Sequence, residues 1–356
     1  MEKVIVCLAG DGIGPEVMES AQSVLKMIEK LYGHTFYLQD ELFGGAAIDQ
    51  TGQSLPARTL TSCLASDAIL LGAVGGPRWE KGAERPEKGL LSLRKSLELY
   101  ANVRPVQVDS VTVHLSPLKE EIVKEVNFVV VRELTGGIYF SYPKERSAER
   151  ATDTLTYTRR EIERIVDYAF KLARARRRKV TSIDKANVLE SSKLWREVTV
   201  EVSSRYPDVE LEHLLVDAAA MELIRNPKRF DVVVTENLFG DILSDEASVI
   251  AGSLGMLPSA SHSCWGPSLY EPIHGSAPDI AGRDKANPIA MLRSVAMMLE
   301  QSFKLHNEAQ AIENAVSSVL KAGHRTFDLG GATSTSKFTY YVLEKMEEQA
   351  LVGRCK

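Results

Sequence analysis

Two carboxylates with a helical spacing carry the strongest chemical signal in the chain. In Asn237-Leu238-Phe239-Gly240-Asp241-Ile242-Leu243-Ser244-Asp245 the aspartates recur after four residues. The preceding run, Asp231-Val232-Val233-Val234-Thr235, predicts a short buried strand, and the residues through Ala251 predict a helix. Asp241 and Asp245 then lie one turn apart on one face. Adjacent carboxylates repel unless a cation sits between them. A hard oxygen pair of this kind suits Mg²⁺ or Mn²⁺. A bare pair at this spacing is ordinarily a solvated acidic face. Here a strand end and a glycine turn come just before it, where α/β folds gather ligands, and that favours the metal.

Arginines supply the complementary charge. The stretch Gly89–Pro105 is mostly helix-prone, closed by its proline, and contains Arg94 and Arg104; Arg132 follows a buried strand. Each alone would be an ordinary surface residue. Arginine forms bidentate bonds with carboxylates. With a metal pair, three of them could clamp a dicarboxylic acid whose hydroxyl and carboxylate chelate the cation.

The elements that must hold these residues follow an α/β pattern. Strands are predicted at Lys3–Ala9, Ala68–Gly72, Phe128–Arg132, Val180–Asp184 and Leu214–Asp217. Helices are predicted at Glu16–Leu31, with Val17, Ala21, Val24, Leu25 and Ile28 on one face, and at Arg160–Arg176, striped by Ile162, Ile165, Val166, Ala169, Phe170 and Ala173. Such alternation predicts a largely parallel sheet covered by helices. Residues 137–157 lack a helical period, carry many charges and read as a protruding arm or hairpin.

Composition narrows the function. The 356 residues are enough for two domains. A formal net charge of −5 gives no global case for nucleic-acid binding, and 44% hydrophobic residues exclude wholesale disorder. Cys7, Cys63, Cys264 and Cys355 show no C-x-x-C spacing, which argues against a disulfide framework or zinc site and for a reducing cytoplasm. There is no signal-peptide pattern and no apolar run of membrane-spanning length. Two features mislead. Gly10-Asp11-Gly12-Ile13-Gly14-Pro15-Glu16 follows a strand and opens a helix, but a G-x-G-x-x-G fingerprint needs glycine where Pro15 stands. The basic run Arg174–Lys179 ends a helix, where cations complement the dipole, so a solvated helix end outweighs an RNA-binding patch.

Nearly the whole chain, from Gly10–Glu16 to Arg325-Thr326-Phe327-Asp328-Leu329, resembles the decarboxylating β-hydroxyacid dehydrogenases, the isocitrate/isopropylmalate dehydrogenase family. The strongest blocks are Leu93-Arg94-Lys95 to Arg104-Pro105, Val131–Phe140, Asp184-Lys185-Ala186-Asn187-Val188-Leu189, Asn237–Met256 and His274–Gly282. The resemblance implies a two-domain fold with a largely parallel sheet core and a β arm, not a standard Rossmann fold. Residues 1–100 and 252–356 would form a cofactor-binding domain. Residues 101–251 would form a substrate and dimerisation domain with the arm at about 137–157.

The implied reaction is NAD-dependent oxidative decarboxylation of (2R,3S)-3-isopropylmalate to 4-methyl-2-oxopentanoate and CO₂, a step of leucine biosynthesis. Asp217 would join Asp241 and Asp245 as metal ligands for Mg²⁺ or Mn²⁺. Lys185 would be the general base, and Tyr139 the acid that helps protonate the enol. Arg94, Arg104 and Arg132, with Asp217, would bind the substrate. Gly75, Gly76, Glu87, His274, Gly275, Ser276, Ala277, Asp279, Ile280 and Asn287 would bind the cofactor, Asp279 favouring NAD over NADP. Lys185 and Asp217 would reach the active site of a second subunit, which implies a homodimer. Leu90 and Leu91, otherwise ordinary core, suit an isopropyl group better than a third carboxylate. Isocitrate, homoisocitrate and tartrate remain same-chemistry alternatives. A non-catalytic regulatory subunit or an RNA binder is the alternative of another class; the presence of all the chemical residues argues against it. Two stretches depart from the family pattern: Ser261–Pro267, and Phe140-Ser141-Tyr142 after the tyrosine.

Overall fold

The computed structural model describes residues 1–108 and 111–354, so Cys355 lies outside the described residues. Two compact units emerge: Met1–Glu98 with the chain from Ser253 onward, and Leu99–Gly252. The first segment contains β1 (Glu2–Gly10), α1 (Gly14–Tyr32), β2 (Thr35–Asp40), α2 (Gly44–Thr51), α3 (Ala57–Ala65), β3 (Ala68–Ala73) and α4 (Pro86–Ser96). The middle segment contains β4 (Leu99–Gln107), α5 (Glu120–Val123), β5 (Asn127–Glu133), β6 (Glu145–Arg146), β7 (Ala151–Thr152), α6 (Arg159–Arg174), β8 (Lys179–Asp184), α7 (Glu190–Ser203), β9 (Glu210–Leu215), α8 (Val216–Arg225), β10 (Val232–Thr235) and α9 (Asn237–Ile250). The last segment adds β11 (Pro258–Ser263), β12 (Ser268–Pro272), α10 (Ile289–Gln301), α11 (His306–Lys321) and α12 (Thr335–Arg354).

In the first unit the strands run β2-β1-β3-β12-β11, parallel except for the β12–β11 pair. The predicted apolar face of α1 is buried at Val17, Ala21, Val24, Leu25 and Ile28, and Pro15 sits in its first turn, where a missing N–H costs nothing. The glycines before α1 permit close backbone packing. A Cβ on Gly14 would stand 2.0 Å from the Ala9 carbonyl oxygen. Gly12, at φ +58°, presses against the loop after β12: a Cβ there would lie 2.0 Å from the Ser276 oxygen. The segment that imitates a dinucleotide fingerprint thus seats another loop instead.

In the second unit the order is β4-β5-β10-β8-β9, with only the β4–β5 pair antiparallel. Val129–Val131 and Val232–Val234 are buried, and α6 covers them with the predicted stripe from Ile162 to Ala173. A Thr158–Glu161 capping box starts α6 at the predicted place. The basic run beyond α6 is used internally: Arg174 pairs with Asp208, and Arg176 with the buried Asp231. At the end of this sheet, β9 carries Glu210 and Glu212, both ion-paired with Lys179.

Two sequence expectations need correction. The helix-prone stretch does not run on to Pro105; α4 ends at Ser96 and Leu99–Gln107 is a strand. Pairing with β5 from Ala101↔Glu133 to Gln107↔Asn127 overrides local propensity. The strand expected at Leu214–Asp217 stops at Leu215, and Asp217 falls in the first turn of α8, where an acidic residue complements the helix dipole. The arm contains the antiparallel β6–β7 ribbon. Among the described residues no helix is long and apolar enough to cross a membrane.

Candidate active site

Strand β10 delivers the chain to α9, and Glu236 ends the approach by accepting from the Leu238 and Phe239 amides. Asp241 and Asp245 then project from one face of α9. Arg132, at the end of β5, pairs with Asp241 Oδ1 through Nη1, and the Tyr139 hydroxyl donates to Asp241 Oδ2 at 2.8 Å. Arg104, on β4, has Nη2 3.8 Å from Asp241 and Nη1 3.4 Å from Asp245. Two buried guanidinium groups therefore face two carboxylates. Gly240 lets this happen: a Cβ there would lie 2.7 Å from Arg132 Cγ.

Neutral side chains hold the arginines. Asn102 accepts from Arg104 Nε at 2.7 Å and Ser244 from Arg104 Nη1 at 2.5 Å. Asn237 accepts from both Nε and Nη2 of Arg132 at 3.0 and 2.8 Å. Sequence reasoning assigned nothing to Asn102, Asn237 or Ser244. The only signal for the last two was that they lie in the Asn237–Asp245 stretch.

Electrostatics sharpen the roles. Burial, then the bond to Asp241, pushes the Tyr139 hydroxyl up, so it remains a phenol and a proton donor near neutrality. Burial raises Asp245, Arg104 opposes the rise and the neighbouring Asp241 adds to it. That carboxyl gains from any cation bound beside it. The donor set, aspartate oxygens one turn apart, fits a hard divalent ion.

Asp217 is elsewhere. Lys185, just beyond β8, donates to Asp217 Oδ1 at 2.5 Å, and this pair holds Asp217 below the ordinary carboxylate range. Among the described residues no three His, Cys, Asp or Glu side chains converge to hold a metal. Within one chain, then, the expected triad of Asp217, Asp241 and Asp245 is a pair plus a separate aspartate. The Lys185 backbone amide is fixed by Ser192 Oγ at 3.1 Å, and Asp184 before it is locked by Arg196 at 2.8 and 2.9 Å.

Arg94 belongs to the other unit. It lies on α4 and donates to Glu271 at 2.9 Å. Glu87, Leu90, Leu91 and Arg94 share one face of α4 by their three- and four-residue spacing. Leu90 and Leu91 are both half-buried rather than sealed in the core. Asp11 fixes the neighbouring loop: its carboxylate accepts from the amides of Gly45, Ala46 and Gly75 at 2.8–2.9 Å. Gly75 is itself crowded, since a Cβ would lie 2.8 Å from Glu87 Oε1, and Gly76 packs near Trp79.

The same unit has a cavity of about 420 Å³ lined by Ile13, Gly255, His274, Ile280, Asn287 and Asp328. Its loop is anchored where Ile13 N donates to the Ser276 carbonyl at 2.8 Å. Asn287 is held by Asp328 at 2.9 Å. His274 Nδ1 faces the Gly275 carbonyl at 2.9 Å, which requires it to be the protonated nitrogen. Nε2 is then a bare acceptor, shielded from water and without a partner among the described residues. Burial lowers the pKa of His274, keeping that acceptor neutral. Such an orphan fits a donor-bearing ligand such as an adenosine group. Beside it, Gly275 and Asp279 are exposed, whereas Ala277 takes a positive φ of 38°.

The two unusual stretches have structural roles. Ser263 accepts from the Trp265 and Gly266 amides to turn the β11–β12 hairpin, leaving Trp265 90% exposed. Ser141 bonds the Gly137 carbonyl and the Thr156 amide, tying the arm's two ends.

Known proteins resemble the chain along nearly its whole length. The isocitrate/isopropylmalate dehydrogenase family profile matches residues 4–342. The chain is 76% identical, over 99% of both sequences, to a 3-isopropylmalate dehydrogenase of Bacillus thuringiensis subsp. konkukian. It is 62% identical to one of Listeria monocytogenes serotype 4b, covering 96% of this chain and 98% of that protein. A crystal structure of isocitrate dehydrogenase from Methylococcus capsulatus superimposes with a TM-score of 0.87 at 37% identity, covering 97% of this chain and 99% of that one.

Proposed function

The chain belongs to the isocitrate/isopropylmalate dehydrogenase family, and we propose that it oxidises and decarboxylates (2R,3S)-3-isopropylmalate to 4-methyl-2-oxopentanoate and CO₂, using NAD⁺, as a step of leucine biosynthesis. The observation that carries this reading is the pair of arginines facing Asp241 and Asp245, with the Tyr139 phenol bonded to Asp241, in a chain 76% identical to a 3-isopropylmalate dehydrogenase.

Asp241 and Asp245 would hold Mg²⁺ or Mn²⁺, and Asp279, Ile280, His274 and Asn287 would hold NAD⁺. When bound, the cation supplies Lewis acidity at the substrate hydroxyl and the nicotinamide supplies the hydride acceptor. The remaining work falls to the chain. Arg94, Arg104 and Arg132 neutralise the two substrate carboxylates. Leu90 and Leu91 give the isopropyl group an apolar wall that would leave a third carboxylate without partners. Lys185 takes the hydroxyl proton, and Tyr139 returns a proton to the enol carbon after CO₂ leaves.

A homodimer completes the site in this reading: a second copy would bring its Lys185 and Asp217. Support comes from α8 and α9. Asp217, Met221 and Ile224 form one exposed face of α8, and Ile242 and Val249 recur on α9. The free thiols of Cys7, Cys63 and Cys264 support a reducing compartment such as the cytoplasm.

The test is NADH formation with 3-isopropylmalate, isocitrate, tartrate and malate, with and without a divalent metal and with NADP⁺ in place of NAD⁺. The highest kcat/KM is expected for 3-isopropylmalate with NAD⁺ and metal. A higher value for isocitrate, or metal-independent turnover, would overturn the assignment.

A further inference from the structure

We propose that Asn237 is a positioning residue that aims both Arg132 and Tyr139 at the substrate; this rests on the roles given to those two residues above. Asn237 is 1% exposed and joins three segments. Its Oδ1 takes two bonds from the Arg132 guanidinium, at 3.0 Å from Nε and 2.8 Å from Nη2. Its Nδ2 donates to the Gly136 carbonyl at 3.2 Å. Its backbone amide donates to the Tyr157 hydroxyl at 2.9 Å.

These partners dictate the side chain. A guanidinium can only donate and a carbonyl can only accept, so the residue between them must present an acceptor and a donor at once. An amide does so; aspartate would set an oxygen against the Gly136 carbonyl. Helix capping does not explain the residue, because Glu236 already serves the first amides of α9. The Arg132 bonds occupy one edge of the guanidinium and turn Nη1 toward Asp241. The Gly136 bond fixes the start of the turn Gly137–Tyr139, whose last residue donates to the same Asp241. One buried amide thus sets the direction of a charge and of a proton donor that meet on a single carboxylate.

The test is a double-mutant cycle with Asn237→Ala and Arg132→Lys. Loss of a bond to a charged group corresponds to about a tenfold effect or more. Asn237→Ala should raise the KM for the dicarboxylate about tenfold and lower kcat, with KM for NAD⁺ changed by less than about twofold. In the Arg132→Lys background, which lacks the planar fork, the same change should move the dicarboxylate KM by less than about twofold. Asn237→Asp, which keeps the acceptor and the volume, covers the case of an alanine variant that fails to fold. Its kcat should fall about tenfold, because the Gly136 bond is lost and an oxygen faces that carbonyl instead. Equal rises in both KM values, full additivity with Arg132→Lys, or wild-type kcat in Asn237→Asp would overturn the positioning role. An Arg132→Lys enzyme with wild-type dicarboxylate KM would instead overturn the role of Arg132 itself.

Discussion

The charged cluster around Asp241 and the cavity beside His274 are built by opposite means. Around Asp241, side chains hold side chains: Asn102 and Ser244 aim Arg104, Asn237 aims Arg132, and both arginines face carboxylates. Beside His274, backbone holds backbone: Gly12 touches Ser276, and the Ile13 amide bonds the Ser276 carbonyl. A site made of directed charges should fail when chemistry is removed, even if shape is kept. A site made of close backbone approach should fail when a single methyl group is added. Substitutions can separate the two kinds of dependence.

The largest effect is expected at Lys185. Lys185→Met keeps the stem but removes the base, so kcat should fall about 10²-fold or more while KM for NAD⁺ stays unchanged. Steady-state kinetics with both substrates varied would show it; a near-normal kcat with chemistry rate-limiting would remove Lys185 from the mechanism. Next comes Asp241→Asn, which keeps shape and loses one anionic ligand. The metal concentration for half-maximal activity should rise about tenfold or more, and an unchanged metal titration would sink the ligand assignment.

The backbone-built side is probed by Gly12→Ala. Its positive φ and the 2.0 Å approach to Ser276 leave no room for a Cβ. The expected cost is about 1–3 kcal/mol of stability, read by denaturant unfolding, with a severalfold rise in KM for NAD⁺ and an unchanged KM for the dicarboxylate. If the dicarboxylate KM rose instead, the division of labour between the two regions would be wrong.

The smallest effect concerns pH. Burial lowers His274 from its ordinary 6.5, so the folded chain keeps it neutral where an unfolded chain would take up a proton. Its contribution to stability is therefore present above 6.5 and is lost as the pH falls through the lowered folded value. Protonation also converts Nε2 from acceptor to donor, so NAD⁺ binding should weaken by about a factor of a few over the same window. His274→Gln keeps an acceptor without titrating and should flatten that pH dependence in direct binding measurements; the same slope in wild type and variant would refute the role of His274.

What could be read from the sequence was periodic or charged. The α6 stripe, the valine runs of β5 and β10, and the shared face of Asp241 and Asp245 all follow from residue spacing. The neutral partners did not show, because their meaning depends on pairing distant in sequence. Asn102 becomes informative only when β4 lies antiparallel to β5 and brings it opposite Arg132. That strand was hidden in a leucine-rich stretch with helical propensity. Glu271, which holds Arg94 across 177 residues, and the close approach of Gly12 to Ser276 were hidden for the same reason. Asp217 was misplaced by two residues of strand because nothing local marks where the ladder with β8 ends.

The ion pairs along β9 have a consequence beyond this fold. A terminal strand offers a row of amides and carbonyls to which another molecule's strand can add, the first step of aggregation. Glu210 and Glu212, drawn to Lys179, put charge along that rim and make such addition unfavourable. The protection is electrostatic, so it weakens as ionic strength approaches about 1 M, where the Debye length shrinks to about 3 Å. Concentrated salt would then expose the rim without loosening the core beneath it.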